Sequence, residues 1–235
     1  MSVVPEPRLR RRADSASGFR ISEIFLSLQG EGPSAGTPAH FVRLQGCTVG
    51  CRWCDTKYSW DEGGGSAGTL ETIWDQARAL GEAPLLVVTG GEPLEHPELA
   101  ALLDGALTRW PRVEVETSGI AAPPRSHPRL HWNVSPKLPS ATPRWRETWR
   151  HVTEFTAEPN ATFKIVVGDA PDPDDAVRLI REHALPASRV MLMPEGMTVD
   201  ALGERARSLA PLCAREGFRL GPRLHIWLWG AKRGV

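Results

Sequence analysis

The feature that most constrains this chain is a rhythm of short apolar runs, each closed by a polar or Gly/Pro cluster and separated by stretches of helical period. Residues 85–88 (LLVV) are closed by Thr89-Gly90-Gly91-Glu92-Pro93, and residues 113–116 by Thr117-Ser118-Gly119. Residues 130–134 are closed by Ser135-Pro136-Lys137, and residues 190–193 by Pro194-Glu195-Gly196, with a further run over 161–167. Between them the spacing predicts helices over 69–80, 97–107, 174–182 and 200–215. Two more strands are expected ahead of these, over 19–28 and 41–44, the first broken by Gln29-Gly30-Glu31-Gly32-Pro33. Apolar strands alternating with helices imply βα units around a mostly parallel sheet. In barrels and open parallel sheets the ligand site lies at the carboxyl ends of the strands. Gln29, the segment 47–54 and the clusters 89–93, 116–119, 135–137 and 193–196 are therefore expected on one rim.

The rest of the chain reads more plainly. Residues 1–18, rich in Pro, Arg and Ser, are expected to form a disordered basic arm, with residues 19–235 a single domain. Segment 63–68 (GGGSAG) reads as a flexible link, and residues 218–220 and 224–229 as β-like runs. Lys+Arg and Asp+Glu are both 28, which gives no electrostatic case for nucleic acid or a membrane surface. No run reaches the roughly 18 apolar residues of a membrane span. No apolar signal core opens the chain, so a cytoplasmic location is expected. Trp145 and Trp149, four residues apart, read as packing.

Three of the four cysteines, Cys47, Cys51 and Cys54, stand at C-x3-C-x2-C spacing, so three thiolates converge from one short loop. Thiolates suit zinc, copper(I) or an iron–sulfur cluster. A structural zinc site needs a fourth protein ligand. Cys213 sits in a helical pattern and reads as a buried small hydrophobe, which leaves His40 or a distant histidine to complete such a site. A cluster held by three cysteines instead keeps one iron open to a small molecule. Spacing alone leaves both readings standing.

The loop, with Trp53 before its last cysteine, resembles the cluster loop of the radical S-adenosylmethionine (SAM) enzymes, and Gly90-Gly91-Glu92-Pro93 resembles their SAM-binding motif. A narrower resemblance rests on Glu23-Ile24-Phe25-x-Ser27-x-Gln29-Gly30-Glu31-Gly32, Phe41-Val42-Arg43-Leu44-x-Gly46-Cys47 and Cys54-Asp55-Thr56. It continues through Glu116-Thr117-Ser118-Gly119, Ser135-Pro136-Lys137, Phe163-Lys164-Ile165-Val166-Val167 and Leu224-His225-x-x-Leu228-Trp229-Gly230. In that order these motifs resemble the 7-carboxy-7-deazaguanine synthase family from about residue 20 to the end of the chain.

The resemblance implies an incomplete TIM-like barrel of about six mostly parallel strands with fewer helices than a full barrel. It also implies conversion of 6-carboxy-5,6,7,8-tetrahydropterin to 7-carboxy-7-deazaguanine with loss of ammonia, in queuosine-type 7-deazapurine biosynthesis. In the family a reduced 4Fe–4S cluster cleaves SAM to a 5′-deoxyadenosyl radical, which takes a hydrogen from the pterin and later reclaims it. Carried onto this chain, Cys47, Cys51 and Cys54 hold the cluster and the Thr56 hydroxyl binds Mg2+. Trp53, Cys54, Gly91, Glu116, Ser135, Pro136, Lys137, Met193, Pro194, Glu195 and Gly196 contact SAM. Leu28, Gln29, Gly30, Arg43, Thr89 and His225 hold the pterin, with the Arg43 fork suited to its carboxylate. The implied partners are a flavodoxin or ferredoxin as electron donor and a second copy of the chain, with no nucleic acid and no membrane. Against this stand two rival readings, a glycyl-radical activase of the same superfamily and a non-catalytic zinc module.

Overall fold

The computed structural model describes residues 18–235. The basic arm expected at the start of the chain lies outside the described residues except for Gly18. Strand β1 (Phe19–Leu28) pairs antiparallel with β2 (Pro38–Leu44) on one side and β3 (Ser66–Gly68) on the other. From β2 the sheet continues parallel through β4 (Leu85–Gly90), β5 (Arg112–Thr117), β6 (Leu130–Val134), β7 (Ala161–Val167), β8 (Val190–Pro194) and the short β9 (Arg219–Leu220). The order is β3-β1-β2-β4-β5-β6-β7-β8-β9, and among the described residues the two edges do not pair. The sheet is thus an open, partial barrel whose parallel part has six substantial strands, as the resemblance implies.

Helices α1 (Leu70–Ala79), α2 (Leu99–Leu107), the short α3 (Trp145–Thr148) and α4 (Val152–Ala157), α5 (Asp172–Glu182) and α6 (Val199–Glu216) link these strands. Thr69 caps α1 by accepting from the Thr72 N–H at 3.2 Å, and Thr198 caps α6 through the Ala201 N–H at 3.3 Å. Gly217, at φ 74°, ends α6 in the left-handed conformation that suits glycine. The strand period of two sorts the side chains. Val113, Val115, Trp132, Val134, Phe163, Ile165 and Val167 join Ile73, Trp74, Leu102, Leu103 and Leu179 of the helices in one apolar core. The residues between them, Glu114, Glu116, Asn133 and Lys164, are polar. That alternation places the apolar face under the helices and a polar face inside the curve of the sheet, where the site lies. Cys213 lies in the apolar core and Trp149 is 2% exposed in it, with Trp145 packed alongside.

Two local expectations fail. The glycine-rich link contains β3, which pairs with residues 19–21, and Gly65 just before it lies so close to β1 that a Cβ would come within 2.5 Å of the Ile21 carbonyl oxygen. Close approach of backbone to backbone, not slack, explains that glycine. Residues 224–229 form a helix, α7 (Leu224–Trp229). Six β-prone residues are too few for period to decide between helix and strand. Here Arg223 O accepts from the Ile226 and Trp227 N–H groups, and Gly230 at φ 67° terminates the turn.

The end of β4 touches the end of β2 backbone to backbone. Gly91 N donates to Leu44 O at 3.0 Å and Glu92 N to Gly46 O at 2.8 Å, which stitches the turn after β4 to the residues just before the cysteine loop. A Cβ on Gly91 would fall 1.9 Å from Gly46 O and 2.8 Å from Ser59 O. Gly91→Ala is therefore expected to lower stability by more than about 1 kcal/mol through overpacking. Gly203→Ala, inside α6 with only Arg207 Nη1 at 3.5 Å, is expected to raise it by about 0.4–1 kcal/mol. Denaturant unfolding of both variants checks the pair.

Candidate active site

The carboxyl ends of β1, β2, β4, β5, β6, β7 and β8 surround one cavity, joined by the cysteine loop, α7 and the last six residues of the chain. At one end Cys47, Cys51 and Cys54 line it as free thiols. Their loop is held from both sides. Cys47 N donates to Trp60 O at 3.2 Å, Arg52 N to Ala141 O at 2.9 Å, and Thr142 Oγ1 to Val49 O at 2.6 Å. The Glu95 carboxylate accepts from Thr48 N at 2.9 Å. Burial pushes the Cys47 thiol up to about 11 and raises that of Cys51, so a metal binding here must displace protons.

The donor set fits an iron–sulfur cluster better than zinc. Neither of the two candidates for a fourth zinc ligand is free to serve. Cys213 is in the apolar core, its thiol facing Arg219 O at 3.9 Å. His40 is held by the Trp110 indole N–H at 3.1 Å and lies 3.1 Å from Gly81 O. Beside the cysteines, Lys137 Nζ lies over the Trp53 ring at 5.8 Å and donates to Ser135 Oγ at 3.0 Å. Buried Glu92 accepts from Thr117 Oγ1 at 2.5 Å, Ser118 N at 2.7 Å and Leu94 N at 3.0 Å, which ties the ends of β4 and β5 together. Its burial raises its pKa despite those bonds.

The middle of the cavity is a charge network drawn from distant parts of the chain. Lys164 Nζ donates to Glu31 Oε2 at 2.6 Å and to Glu116 Oε1 at 3.2 Å. Arg223 bonds Glu31 Oε1 at 3.2 Å and also pairs with Asp55. Glu116 further accepts from Thr89 Oγ1 at 3.1 Å and Gln29 Nε2 at 3.2 Å. Burial alone would raise the Glu31 pKa, but Lys164, Arg223 and His225 outweigh it and hold the carboxyl far below the usual range. Burial likewise works against the Lys164 ammonium, and Glu116 and Glu31 reverse it, so the amine stays protonated. His225 lies 3.9 Å from Glu31, and burial lowers its pKa. Glu31, Asp55 and His225 bring their ligand atoms within 4.8 Å of one another, with Arg223 already between the two carboxylates.

Sixteen of the residues singled out from the sequence line this cavity. Leu28, Gln29, Gly30, Arg43, Cys47, Cys51, Trp53, Cys54, Thr56, Thr89, Gly91, Glu116, Ser135, Lys137, Met193 and His225 all border it. Pro136, Pro194, Glu195 and Gly196 do not. The Glu195 carboxylate turns away to Arg205 of α6 at 2.6 Å, and Gly196 O accepts from Arg223 at 2.6 Å. The Gln29 side chain is consumed within the protein, donating to Glu114 and Glu116 while its oxygen accepts from Glu31 N at 3.2 Å. Gly30 has a clear reason to be glycine, since a Cβ would lie 2.3 Å from His225 Nδ1. Thr56 Oγ1 sits 3.5 Å from Cys54 Sγ. Glu31, Lys164, Asp55 and Arg223 were given no role from the sequence. Glu31, Asp55 and Lys164 each lie in a motif that carries the resemblance, and Lys164 is also a lone charge inside an apolar strand, whereas Arg223 carries no such signal.

Known proteins sharpen the picture. The model of the radical SAM superfamily matches residues 41–127, from β2 across the cysteine loop to the far side of β5. A 7-carboxy-7-deazaguanine synthase from Pyrobaculum aerophilum is 42% identical over 222 residues, covering 92% of this chain and 96% of the relative. The chain belongs to the 7-carboxy-7-deazaguanine synthase family. A relative of the same name from Hyperthermus butylicus is 37% identical and covers 93% of this chain and 97% of its own. The solved structure of QueE from Escherichia coli superposes with a TM-score of 0.66 at 29% identity, over 88% of this chain and 95% of that one. The family membership removes the support for a zinc module and for an activase.

The charge network predicts a pH signature. Because the pKa of Glu31 in the folded protein lies far below the ordinary glutamate value of 4.5, its contribution to stability is complete above that pH and is lost as pH falls through and below it. Unfolding midpoints between about pH 5 and pH 2 are expected to fall less steeply toward acid for Glu31→Gln than for the unsubstituted protein. Lys164→Met, which leaves two carboxylates facing each other in the cavity, is expected to cost about 3–5 kcal/mol at pH 7 in the same measurement.

Proposed function

We propose that this cavity carries out the family's ring contraction, with a 4Fe–4S cluster and SAM at the cysteine end and 6-carboxy-5,6,7,8-tetrahydropterin at the Arg43 end. The observation that carries the reading is that a three-thiol loop, with Cys213 and His40 both engaged elsewhere, opens on the same cavity as a guanidinium with spare donors. Arg43 bonds Glu23 through Nε at 2.7 Å, and among the described residues its other nitrogens make no hydrogen bond. That leaves the two-pronged edge for a carboxylate. When bound, the cluster and SAM supply the radical that starts the reaction.

The protein's own part is to bind, orient and shield. Trp53, Gly91, Ser135, Lys137, Glu116 and Met193 are proposed to contact SAM, whereas Pro136, Pro194, Glu195 and Gly196 support the turns behind them. Leu28 and Gly30 would meet the pterin edge through their backbone, Thr89 and His225 through their side chains. Gln29 would act by holding Glu116 and the Glu31 backbone in place. Lys164 holds Glu31 and Glu116 in place through hydrogen bonds to both, so both present acceptor oxygens to the N–H groups of a pterin. Thr56 is proposed to bind Mg2+ through its hydroxyl, a hard oxygen donor.

Electrons are proposed to come from a flavodoxin or ferredoxin, and the working unit to be a homodimer, which the exposed Trp227, Leu228 and Trp229 of α7 favour as an apolar strip. No helix of the described residues is long and apolar enough to cross a membrane.

Anaerobic incubation with reductant, SAM, Mg2+ and the carboxytetrahydropterin is expected to yield 7-carboxy-7-deazaguanine and ammonia. No product from protein with a full cluster would sink the reading. Arg43→Ala is expected to weaken pterin binding by about 1.5–3 kcal/mol, as for a charged hydrogen bond, while SAM cleavage without pterin persists. Normal pterin binding by that variant would remove Arg43 from the carboxylate.

A further inference from the structure

We infer that Glu23 is the positioning residue for Arg43, placed opposite it by a β-bulge at Ser22 and joined through Arg233 to the end of the chain. The inference rests on the proposal that Arg43 receives the substrate carboxylate, and it adds how that guanidinium is aimed.

The bulge is visible in the register of β1 against β2. Ile21 pairs with Leu44, and if the register ran on, Ser22 would face Arg43 and Glu23 would face Val42. Instead the register shifts after Ile21, and Glu23 pairs with Arg43, Phe25 with Phe41 and Leu28 with Pro38. One extra residue therefore turns Glu23 onto the face that Arg43 occupies, which is what bulges beside functional sites do. Cross-strand partners on one face stand near enough to bond. Here the bond is Arg43 Nε to Glu23 Oε1, 2.7 Å, between side chains that are 14% and 12% exposed.

Three further contacts fix the pair. The Arg43 guanidinium lies 5.9 Å from the centre of the Phe25 ring, and that ring is stacked on Phe41 at 4.7 Å. The Tyr58 hydroxyl donates to Glu23 Oε1 at 2.7 Å. Arg233 donates from Nε to Glu23 Oε2 at 2.9 Å and from Nη2 to Ser22 O, the carbonyl of the bulge, at 3.2 Å, with its guanidinium 4.1 Å from the Tyr58 ring. Burial acts to raise the Glu23 pKa, and hydrogen bonds from Arg233, Tyr58 and Arg43 overcome it, leaving a carboxylate that accepts from all three.

The consequence is a division of labour on one guanidinium. Glu23 takes the inner donor of Arg43, Phe25 supports its face, and the terminal donors stay free at the cavity. With Arg43 and Arg233 cationic and Glu23 anionic, the node carries one net positive charge, which one substrate carboxylate neutralises. Arg233 stands two residues from Val235, so the same carboxylate also pins the chain end that lines the cavity.

The test is a double-mutant cycle on the holoenzyme, reading the dissociation constant of 6-carboxytetrahydropterin anaerobically, with cluster content and SAM binding measured on every variant. Glu23→Ala is expected to weaken pterin binding on the order of tenfold, as for loss of a charged hydrogen bond. Glu23→Gln, which keeps an acceptor for Arg43 Nε, is expected to lie between Glu23→Ala and the unsubstituted protein. Neither should weaken binding further once Arg43 is Ala, because a residue acting only through Arg43 has nothing left to position. A loss of the same factor with and without Arg43 would show a general structural role and overturn the inference. Arg43→Ala weakening binding while Glu23→Ala leaves it unchanged would overturn it too, with the carboxylate assignment intact. Arg43→Ala leaving binding unchanged would overturn both together.

Discussion

The cavity depends on how closely the end of β4 approaches the end of β2. At Gly90 and Gly91 two backbones meet with no room for a side chain between them, and the amide groups of residues 91 and 92 bond the carbonyls of Leu44 and Gly46. The cysteine loop begins at the next residue. Its position is therefore set by main-chain hydrogen bonds between neighbouring strands, the most rigid part of a parallel sheet, and not by the loop itself. The carboxylate of Glu92 extends the same fixing to β5 through Thr117 and Ser118. A motif that reads as a ligand-binding signature thus also does structural service, and the two uses are compatible because backbone bonds leave the cavity side of the glycines bare.

The second dependence is electrostatic. Buried charges are costly unless paired, and here the pairing crosses the whole sheet. Glu31 follows β1, Glu116 ends β5, Lys164 lies in β7 and Arg223 precedes α7, so no two come from the same element. Each ion is satisfied by neighbours that only the folded sheet supplies. This arrangement leaves a polar cavity whose acceptors and donors are fixed in advance, which suits a reaction in which the cofactors bring the difficult chemistry and the protein supplies orientation.

What was legible in the sequence follows from what is encoded locally. The parallel core and its rim could be read because strand period and strand-ending turns are local, and three cysteines within eight positions declare themselves. Arg43 and Thr89 fall on the rim by the same logic. Lys164 with Glu31 and Arg223 with Glu31 were hidden, since the partners are separated by 133 and 192 residues. The turn after β8 shows the limit of strand-end reasoning. It does lie at the rim, yet Glu195 is drawn outward by Arg205 of a helix whose packing no local pattern announces. Residues 224–229 misled for a different reason, as six residues of strong β preference fold as a helical turn once Arg223 and Gly230 set its ends.

Iron, sulfide and electron paramagnetic resonance together test the central claim most directly, that three cysteines hold a cluster whose remaining iron is open to SAM. Reconstituted anaerobically and reduced, the protein is predicted to carry four irons and four sulfides per chain and to change its spectrum when SAM is added. Stoichiometric zinc with no iron, or a cluster whose spectrum ignores SAM, would contradict the account.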